Sequence, residues 1–513
     1  MIGTREDTTA GRAFAAAFTT VLAAGFLLRV AHLGSGIPFS LGYDEPAIMS
    51  TAVRMLKSGD FHPHFFAYPT GYIYVQLGAA VVTFIAGAMA HWWRTVEQLG
   101  PADFYLGGRI VTAFIGTATI ALVYRAGLRW GRTEALAASA LLAVMPMHVR
   151  ESHFVLTDVP ITCAATLTLL LSLRAIERPS IRAFVWAGAA AGLAAGIKYN
   201  ALMAFAMPLI AALAMGRGRG PSRPQALGAA AAACVSAFFV TTPFAILDLP
   251  AFLNGFGNQA SALDPRGAAA ESSWIIYLKH FRLSFGWPAS LLMAAGFATN
   301  LYRLWKGPGR ARWALLLAFP AAYFYLINGW SYMFARYALP LAPFAAIWGG
   351  TGITLVAGAI ERRGLAPRWR RAAVAGLVLA ALVPGTIGSV SWLRDFGRET
   401  TQALAWTWIR ASVWKDDLVV SEAQRFDLPA ERYRAEYTRP VILRDLASLE
   451  AAGTRWVILS SDVWKSVDPS YREGRQPPAA YDELLLKATT RTIITPSAAT
   501  PGPEIRILEL PRR

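Results

Sequence analysis

Apolar runs of about 18 residues or more recur along this chain, and a helix of that length matches the hydrocarbon core of a bilayer. Backbone that faces lipid must satisfy its own hydrogen bonds, so such runs fold as helices. The expected fold class is an α-helical polytopic membrane protein. Composition agrees: 55% of the 513 residues are hydrophobic and 16% charged, where a soluble domain carries roughly a quarter charged. The candidate spans are residues 13–33, 104–127, 134–147, 158–175, 182–196, 200–215, 225–243, 285–303, 313–328, 337–357 and 372–392. These make about 11 spans, or 12 if the apolar stretch 71–92 also crosses. No small-residue cleavage pattern follows the first run, which reads as a retained helix.

The formal net charge of +17 would suit a nucleic-acid binder, but its distribution argues against one. The arginines cluster between apolar runs, at 124–132, 174–182, 216–223, 303–312 and 361–371. That is the pattern that orients membrane helices. If 71–92 lies in the outer interface, all five clusters share the cytoplasmic side with the N-terminus. If it crosses, all five become external. The positive-inside rule therefore predicts an interfacial helix at 71–92, and its aromatic ends, "YPTGYIYV" and "HWWR", suit that place. Cys163 and Cys234 lie inside apolar runs and imply no disulfide framework.

Near residue 393 the long apolar runs stop. "DLVVSE" (417–422), "RWVILSS" (455–461) and "RTIIT" (491–495) read as buried strands, and 444–453 as a helix closed by Gly453. The expected organisation is a transmembrane domain over 1–392 and a small extracytoplasmic α/β domain over 393–513. The external loops that could carry chemistry are 34–103, 148–157 and 244–284.

The first of these loops contains "GYDEP" (42–46). Pro46 suits the first turn of a helix, Ile48, Ala52, Met55 and Leu56 share one face, and Gly59 supplies a stop. Asp44 and Glu45 then sit at a helix N-terminus, where one acid suffices as a cap. The second loop, "MHVRESHFVLTDVP" (147–160), gathers Glu151 and His153 before Asp158 at the mouth of a span. Its His and Glu spacing is not that of a standard zinc motif. Arg109, Lys198 and Arg336 are cations next to apolar sequence near the outer face. Such a charge costs roughly 2.5–3.5 kcal/mol at mid-span, so it usually faces a cavity or snorkels. Cations at headgroup depth suit a lipid phosphate and its departure. Carboxylates beside them suit a base that activates a hydroxyl.

These stretches resemble the GT-C superfamily of membrane glycosyltransferases, and within it the family 39 group of protein O-mannosyltransferases and aminoarabinose transferases. The resemblance rests on "GYDEP", "FAYPTGYIYVQ", "LGGRIVTAFIGT", "PMHVRESHFVLTDVP" and "RYALPLAP", with "GIKYNAL" as a weaker match, over about residues 10–360. It implies transfer of a sugar from a polyprenyl-phosphate donor to an acceptor hydroxyl at the outer face of a bacterial cytoplasmic membrane, with inversion. It implies Asp44 as catalytic base, Glu45 as its support and Asp158 as the second-loop acid. Arg109, Lys198 and Arg336 would hold the lipid phosphate, with Tyr68, Glu151 and His153 in the substrate-binding set. The partners implied are the lipid-linked donor, membrane lipids and an acceptor that is a lipid, a glycan or a protein. No nucleic acid is expected. Members differ in holding a divalent metal ion between loop acids, so a metal is left open here, with His62, His64 and His153 as candidates. Aminoarabinose transferases carry Lys-Pro-Pro-Leu after the acidic pair, where this chain has "AYPTGY", which argues against close kinship. The competing reading is a membrane transporter or lipid flippase, which would favour paired broken helices in two related halves. No such halves are visible.

Overall fold

A computed structural model describes residues 3–38, 44–216, 220–263, 273–330, 333–423, 428, 433–472 and 476–511, without the side chains of 3–10 and 465. Gly42 and Tyr43 of "GYDEP", residues 217–219 of one arginine cluster, 264–272 of the third loop, and Ser331 and Tyr332 lie outside the described residues. In chain order the first sixteen helices are α1 Gly3–Val30, α2 Glu45–Ser58, α3 Gly71–Met89, α4 Tyr105–Gly127, α5 Arg132–Ala143, α6 Pro146–Glu151, α7 Asp158–Glu177, α8 Ile181–Ala195, α9 Ala206–Leu213, α10 Arg223–Thr241, α11 Phe244–Leu247, α12 Leu249–Leu263, α13 Ser273–Lys306, α14 Arg310–Asn328, α15 Ala342–Arg362 and α16 Pro367–Phe396.

The chain forms two compact units: Met1–Leu33 with Ser58–Ala79 and Gly108–Leu393, and Gly34–Lys57 with Ala80–Gly107 and Arg394–Arg513. Among the described residues, seven helical stretches, those holding α1, α3, α4, α7, α10, α15 and α16, are long and apolar enough to cross a membrane. Residues 181–195 and 199–213 are shorter apolar helices. The protein is thus a mostly helical, multi-pass membrane protein. Two expected spans are interrupted. Residues 134–147 form only the 12-residue α5, which stops before Pro146. Residues 200–215 divide between a 3-10 turn, Tyr199–Phe205, and α9. α3 falls within the apolar stretch 71–92. Its 19 residues span about 28 Å at 1.5 Å per residue, so its length and composition suit a crossing where charge pointed to the interface.

In the first unit small residues let helices meet backbone to backbone. Gly188, Gly192 and Gly196 recur every fourth residue along α8 and its end. A Cβ on Gly188 would collide with the Ala230 carbonyl, and one on Gly192 with that of Cys234 in α10. Membrane helices associate this way because lipid offers no hydrophobic drive between them. α13 bends at Gly286, whose φ of 78° lies in the left-handed region, two residues before Pro288. The Gly196 carbonyl accepts from Gly71 N–H at 2.9 Å, and the Tyr199 hydroxyl donates to the Phe66 carbonyl at 3.0 Å. Both bonds tie the segment 66–71 to the end of α8.

The second unit contains α2, whose Ile48, Met49, Ala52, Val53 and Met55 are buried and which Gly59, at φ 69°, follows. It also contains the C-terminal α/β domain. Helices α17 Thr401–Ser412, α18 Leu446–Ala451, α19 Ser461–Val467 and α20 Asp482–Lys487 accompany strands β1 Leu418–Ser421, β2 Arg434–Tyr437, β3 Thr454–Ser460, β4 Thr489–Ile494 and β5 Ile505–Glu509. The sheet order is β2-β1-β3-β5-β4, with β1 parallel to β2 and β3 and the β3–β5 and β5–β4 pairs antiparallel. Successive strand side chains point to opposite faces. Val420, Val457, Leu459 and Leu508 therefore join Trp464 on one face, while Val419, Ile458 and Ile507 join Trp406 and Ile409 on the other. β2 and β5 were not among the expected strands. Directly after β1, the fully buried Glu422 accepts from Val441 N–H (2.9 Å), Ser460 N–H (3.1 Å), Trp464 Nε1 (3.2 Å) and Tyr481 OH (2.9 Å).

Candidate active site

The first unit brings three of the sequence-selected residues together. Asp158 opens α7, where the helix dipole favours a carboxylate, and it is 2% exposed. Lys198 leaves the end of α8 in extended conformation and begins the 3-10 turn 199–205. Its Nζ lies 2.8 Å from Asp158 Oδ1, and Arg336 Nε lies 3.7 Å from Asp158 Oδ2. Tyr337 separates the cations: Lys198 Nζ is 4.8 Å from its ring centre and the Arg336 guanidinium carbon 5.7 Å. Asn200 Nδ2 donates to the Tyr323 hydroxyl at 3.0 Å, which donates to the Tyr337 carbonyl at 3.1 Å. The segments bearing Lys198 and Arg336 are thereby joined.

Glu151 ends α6 close to this group. It is 3% exposed, with Arg150 Nε at 3.5 Å. Burial pushes its carboxyl up to about 7; Arg150, Arg336 and Lys198 oppose the rise and Asp158 adds to it.

Lys198 also lines a cavity of about 1040 Å³. Its walls include a group of aromatic side chains, Tyr199, Phe238, Phe239, Phe252, Phe256 and Trp330. Phe252 and Phe256 stack at 6.1 Å, and Tyr199 meets Phe256 edge-on at 5.0 Å. Tyr68 lines the same cavity. A mostly apolar cavity with one ammonium in its wall fits an amphiphile with an anionic end.

Arg109 and His153 do not line this cavity. Arg109 is fully buried, donates to the Leu33 carbonyl at 2.9 Å and lies 5.7 Å from the Phe154 ring centre. The His153 ring nitrogens lie 2.8 Å from the carbonyls of Val149 and Ala31. Two carbonyls favour an imidazolium, but burial, reinforced by Arg29 and Arg109, outweighs them and lowers the ring to about 4. His153 is therefore neutral near pH 7. The sequence reading missed Arg29. It is fully buried and donates to the carbonyls of Gly25 (2.8 Å), Ala143 (3.0 Å) and Leu142 (3.2 Å), capping α5 from α1, with His148 Nδ1 at 2.9 Å. An arginine inside the first apolar run was the signal.

Asp44 and Glu45 belong to the second unit. Asp44 is half-buried and its carbonyl accepts from Ile48 N–H at 3.3 Å; Glu45 opens α2 and is fully buried. Among the described residues no group of three or more His, Cys, Asp or Glu side chains is placed to hold a metal ion. His62 and His64 face Asp248 at 3.0 Å and Asp60 at 2.8 Å.

Residues 103–246, which hold Arg109, Glu151, His153, Asp158 and Lys198, match the family described as dolichyl-phosphate-mannose-protein mannosyltransferase. No curated protein matches by sequence. In fold the chain is similar to ArnT from Cupriavidus metallidurans bound to undecaprenyl phosphate, with a TM-score of 0.60 and 15% identity over 98% of each chain. It is also similar to the apo oligosaccharyltransferase of Archaeoglobus fulgidus, with a TM-score of 0.57 and 14% identity over 87% of this chain and 69% of that one. The oligosaccharyltransferase AglB of that organism, in complex with an inhibitory peptide and dolichol-phosphate, gives a TM-score of 0.54 at 14% identity over the same shares. The architecture is that of the GT-C superfamily of membrane glycosyltransferases, as the loop motifs implied. Within that class, the segment from the start of α4 to α11 carries the sequence pattern of the mannosyltransferase family model.

Proposed function

We propose that this protein moves a sugar from a polyprenyl-phosphate donor to an acceptor hydroxyl, with inversion, at the outer face of a bacterial cytoplasmic membrane. The observation that carries the reading is the aromatic cavity with Lys198 in its wall and Asp158 and Arg336 alongside. An isoprenoid tail suits the apolar walls, and its phosphate suits the cations. Lys198 and Arg336 against Asp158 leave one net positive charge for the phosphate. Asp158 is a positioning residue in this reading, since its carboxylate engages both cations. Arg109, bound to the Leu33 carbonyl, fixes the point where the loop to Asp44 departs from α1. Two proteins of similar fold bind undecaprenyl phosphate and dolichol-phosphate, which supports the same donor class here.

Asp44 is the base. It takes the acceptor proton as the acceptor oxygen attacks the anomeric carbon from the face opposite the phosphate. The carbon–oxygen bond to the phosphate breaks, and its electron pair leaves on polyprenyl phosphate, stabilised by Lys198 and Arg336. A single displacement inverts the centre. Glu45 supports Asp44 at the start of α2. Residues 393–513 are the extracytoplasmic domain in this arrangement, after a transmembrane domain over 1–392.

The test is transfer of radiolabel from a polyprenyl-phosphate sugar into acceptors of membranes that contain the protein. Asp44→Asn should lower transfer by about 10²-fold or more while donor binding persists. Full transfer by that variant would overturn the assignment of the base.

A further inference from the structure

The first unit holds another cavity at the opposite end of its helices. α15 begins at Ala342, shortly after Arg336, and its 21 residues to Arg362 span about 30 Å. Arg362 therefore marks the end remote from Asp158. A cavity of about 420 Å³ lies there, lined by Arg303 of α13, Arg312 and Trp313 of α14, Arg362, and Trp130 and Glu134 beside the start of α5.

This lining is rich in N–H donors and holds one carboxylate; the hydroxyls of Thr299, Thr351 and Thr354, which also line it, each donate to a carbonyl of their own helix. Trp130 Nε1, Trp313 Nε1 and Arg312 Nε are buried and have no hydrogen-bond partner in the fold. Trp313 is only 5% exposed. Unpaired buried N–H groups are costly, and three around one cavity call for an acceptor. The donors are also held in place. Arg312 Nη1 donates to the Arg129 carbonyl at 2.9 Å, and its guanidinium carbon lies 5.6 Å from the Trp313 ring centre. Trp313 meets Trp130 edge-on at 5.8 Å. Among the described residues no acid forms an ion pair with Arg303, Arg312 or Arg362. The one carboxylate in the lining, Glu134, is folded back on its own helix start, where a Cβ on Gly131 would collide with it. Three arginines against one glutamate leave the cavity positive. Leu355, which is 46% exposed, adds an apolar edge.

We propose that this cavity binds the phosphate of an anionic phospholipid from the arginine-rich side of the membrane. Guanidinium and indole N–H groups donate to the phosphate oxygens, as suits a tetrahedral oxyanion. Basic pockets between membrane helices commonly take such headgroups. The apolar edge at Leu355 favours a lipid over a free ion. The proposal does not depend on the catalytic reading.

The test uses the full chain in detergent, with native mass spectrometry of retained lipid. Phosphatidylglycerol should be retained in preference to phosphatidylcholine. The double variant Arg303→Gln/Arg362→Gln changes two exposed side chains and should lower that retention about tenfold or more. Trp313→Phe removes one donor at nearly constant shape and should lower it about threefold. Lipid-free melting equal to the parent shows that both variants are folded. An unchanged preference in the folded double variant would overturn the proposal. Millimolar inorganic phosphate that stabilises the protein equally, with no preference among lipids, would overturn the lipid as its source and leave a soluble phosphate ion.

Discussion

Asp158 meets Lys198 at 2.8 Å through one carboxylate oxygen and faces Arg336 at 3.7 Å through the other. One acid thus orients two cations that come from different parts of the chain. Removing one partner from a buried ion pair is expensive because the other charge is left uncompensated, at about 3–5 kcal/mol. Asp158→Asn should therefore lower thermal stability in detergent markedly. Lys198→Ala leaves Asp158 with Arg336 and should act on the ligand, weakening polyprenyl phosphate binding about tenfold. Direct binding measurements on both variants decide this. Undiminished affinity in Lys198→Ala would remove that residue from the phosphate site.

Glu151 makes the same group sensitive to pH. Its carboxyl sits near 7 in the folded protein against 4.5 as its ordinary value. The folded state therefore holds the proton more tightly than the unfolded one. Stability falls as pH rises from about 4.5 to about 7, then levels off. Glu151→Gln should flatten that slope and leave the variant the more stable protein above pH 7. Loss of the proton also places a new negative charge beside Lys198 and Arg336. Phosphate affinity should then decline through pH 7 in the parent and much less in the variant. Parallel profiles for the two proteins would rule this out.

The glycine stripe on α8 predicts a contrast between two substitutions of the same kind. Gly192→Ala would drive a methyl into the Cys234 carbonyl, whereas Gly228→Ala on α10 meets nothing within 4 Å. Forcing packed helices apart costs about 1–3 kcal/mol or more. Gly192→Ala should melt at lower temperature and bind donor more weakly, since α8 leads to Lys198. Gly228→Ala should match or exceed the parent, because alanine is the better helix former. Equal melting of the two would discount the close contact.

Orientation is testable at Thr95, an exposed residue past the end of α3. With Cys163 and Cys234 replaced, a single cysteine at position 95 should react with an impermeant reagent added from outside. Reaction only from the cytoplasmic side would make α3 a full crossing and turn the arginine-rich connections outward.

The helical membrane architecture was legible because apolar runs of spanning length leave the backbone few alternatives. Lys198 was legible for a related reason, a charge flanked on both sides by apolar sequence, and the same argument selects Arg29. The pairing of Lys198 with Asp158 was not, because it joins the first residue of α7 to the turn after α8, 40 positions later. Only close packing of α7, α8 and the segment 335–341 brings them together. β2 was hidden because all four of its residues, Arg434–Tyr437, are exposed and lack apolar alternation. It is a strand through its parallel pairing with β1. Nor does any local signal announce that residues 34–57, with Asp44 and Glu45, group with 80–107 and the C-terminal domain.

Glu422 stands where the parallel strands part, at the carboxyl ends of β1 and β3, with β2 branching to the other side of β1. In open α/β sheets that crevice is the usual seat for a ligand. Here its donors from Val441, Ser460, Trp464 and Tyr481 already close on a carboxylate of the same chain. The crevice of this sheet is thus filled from within: the carboxylate that follows β1 takes the donors that a bound anion would otherwise use.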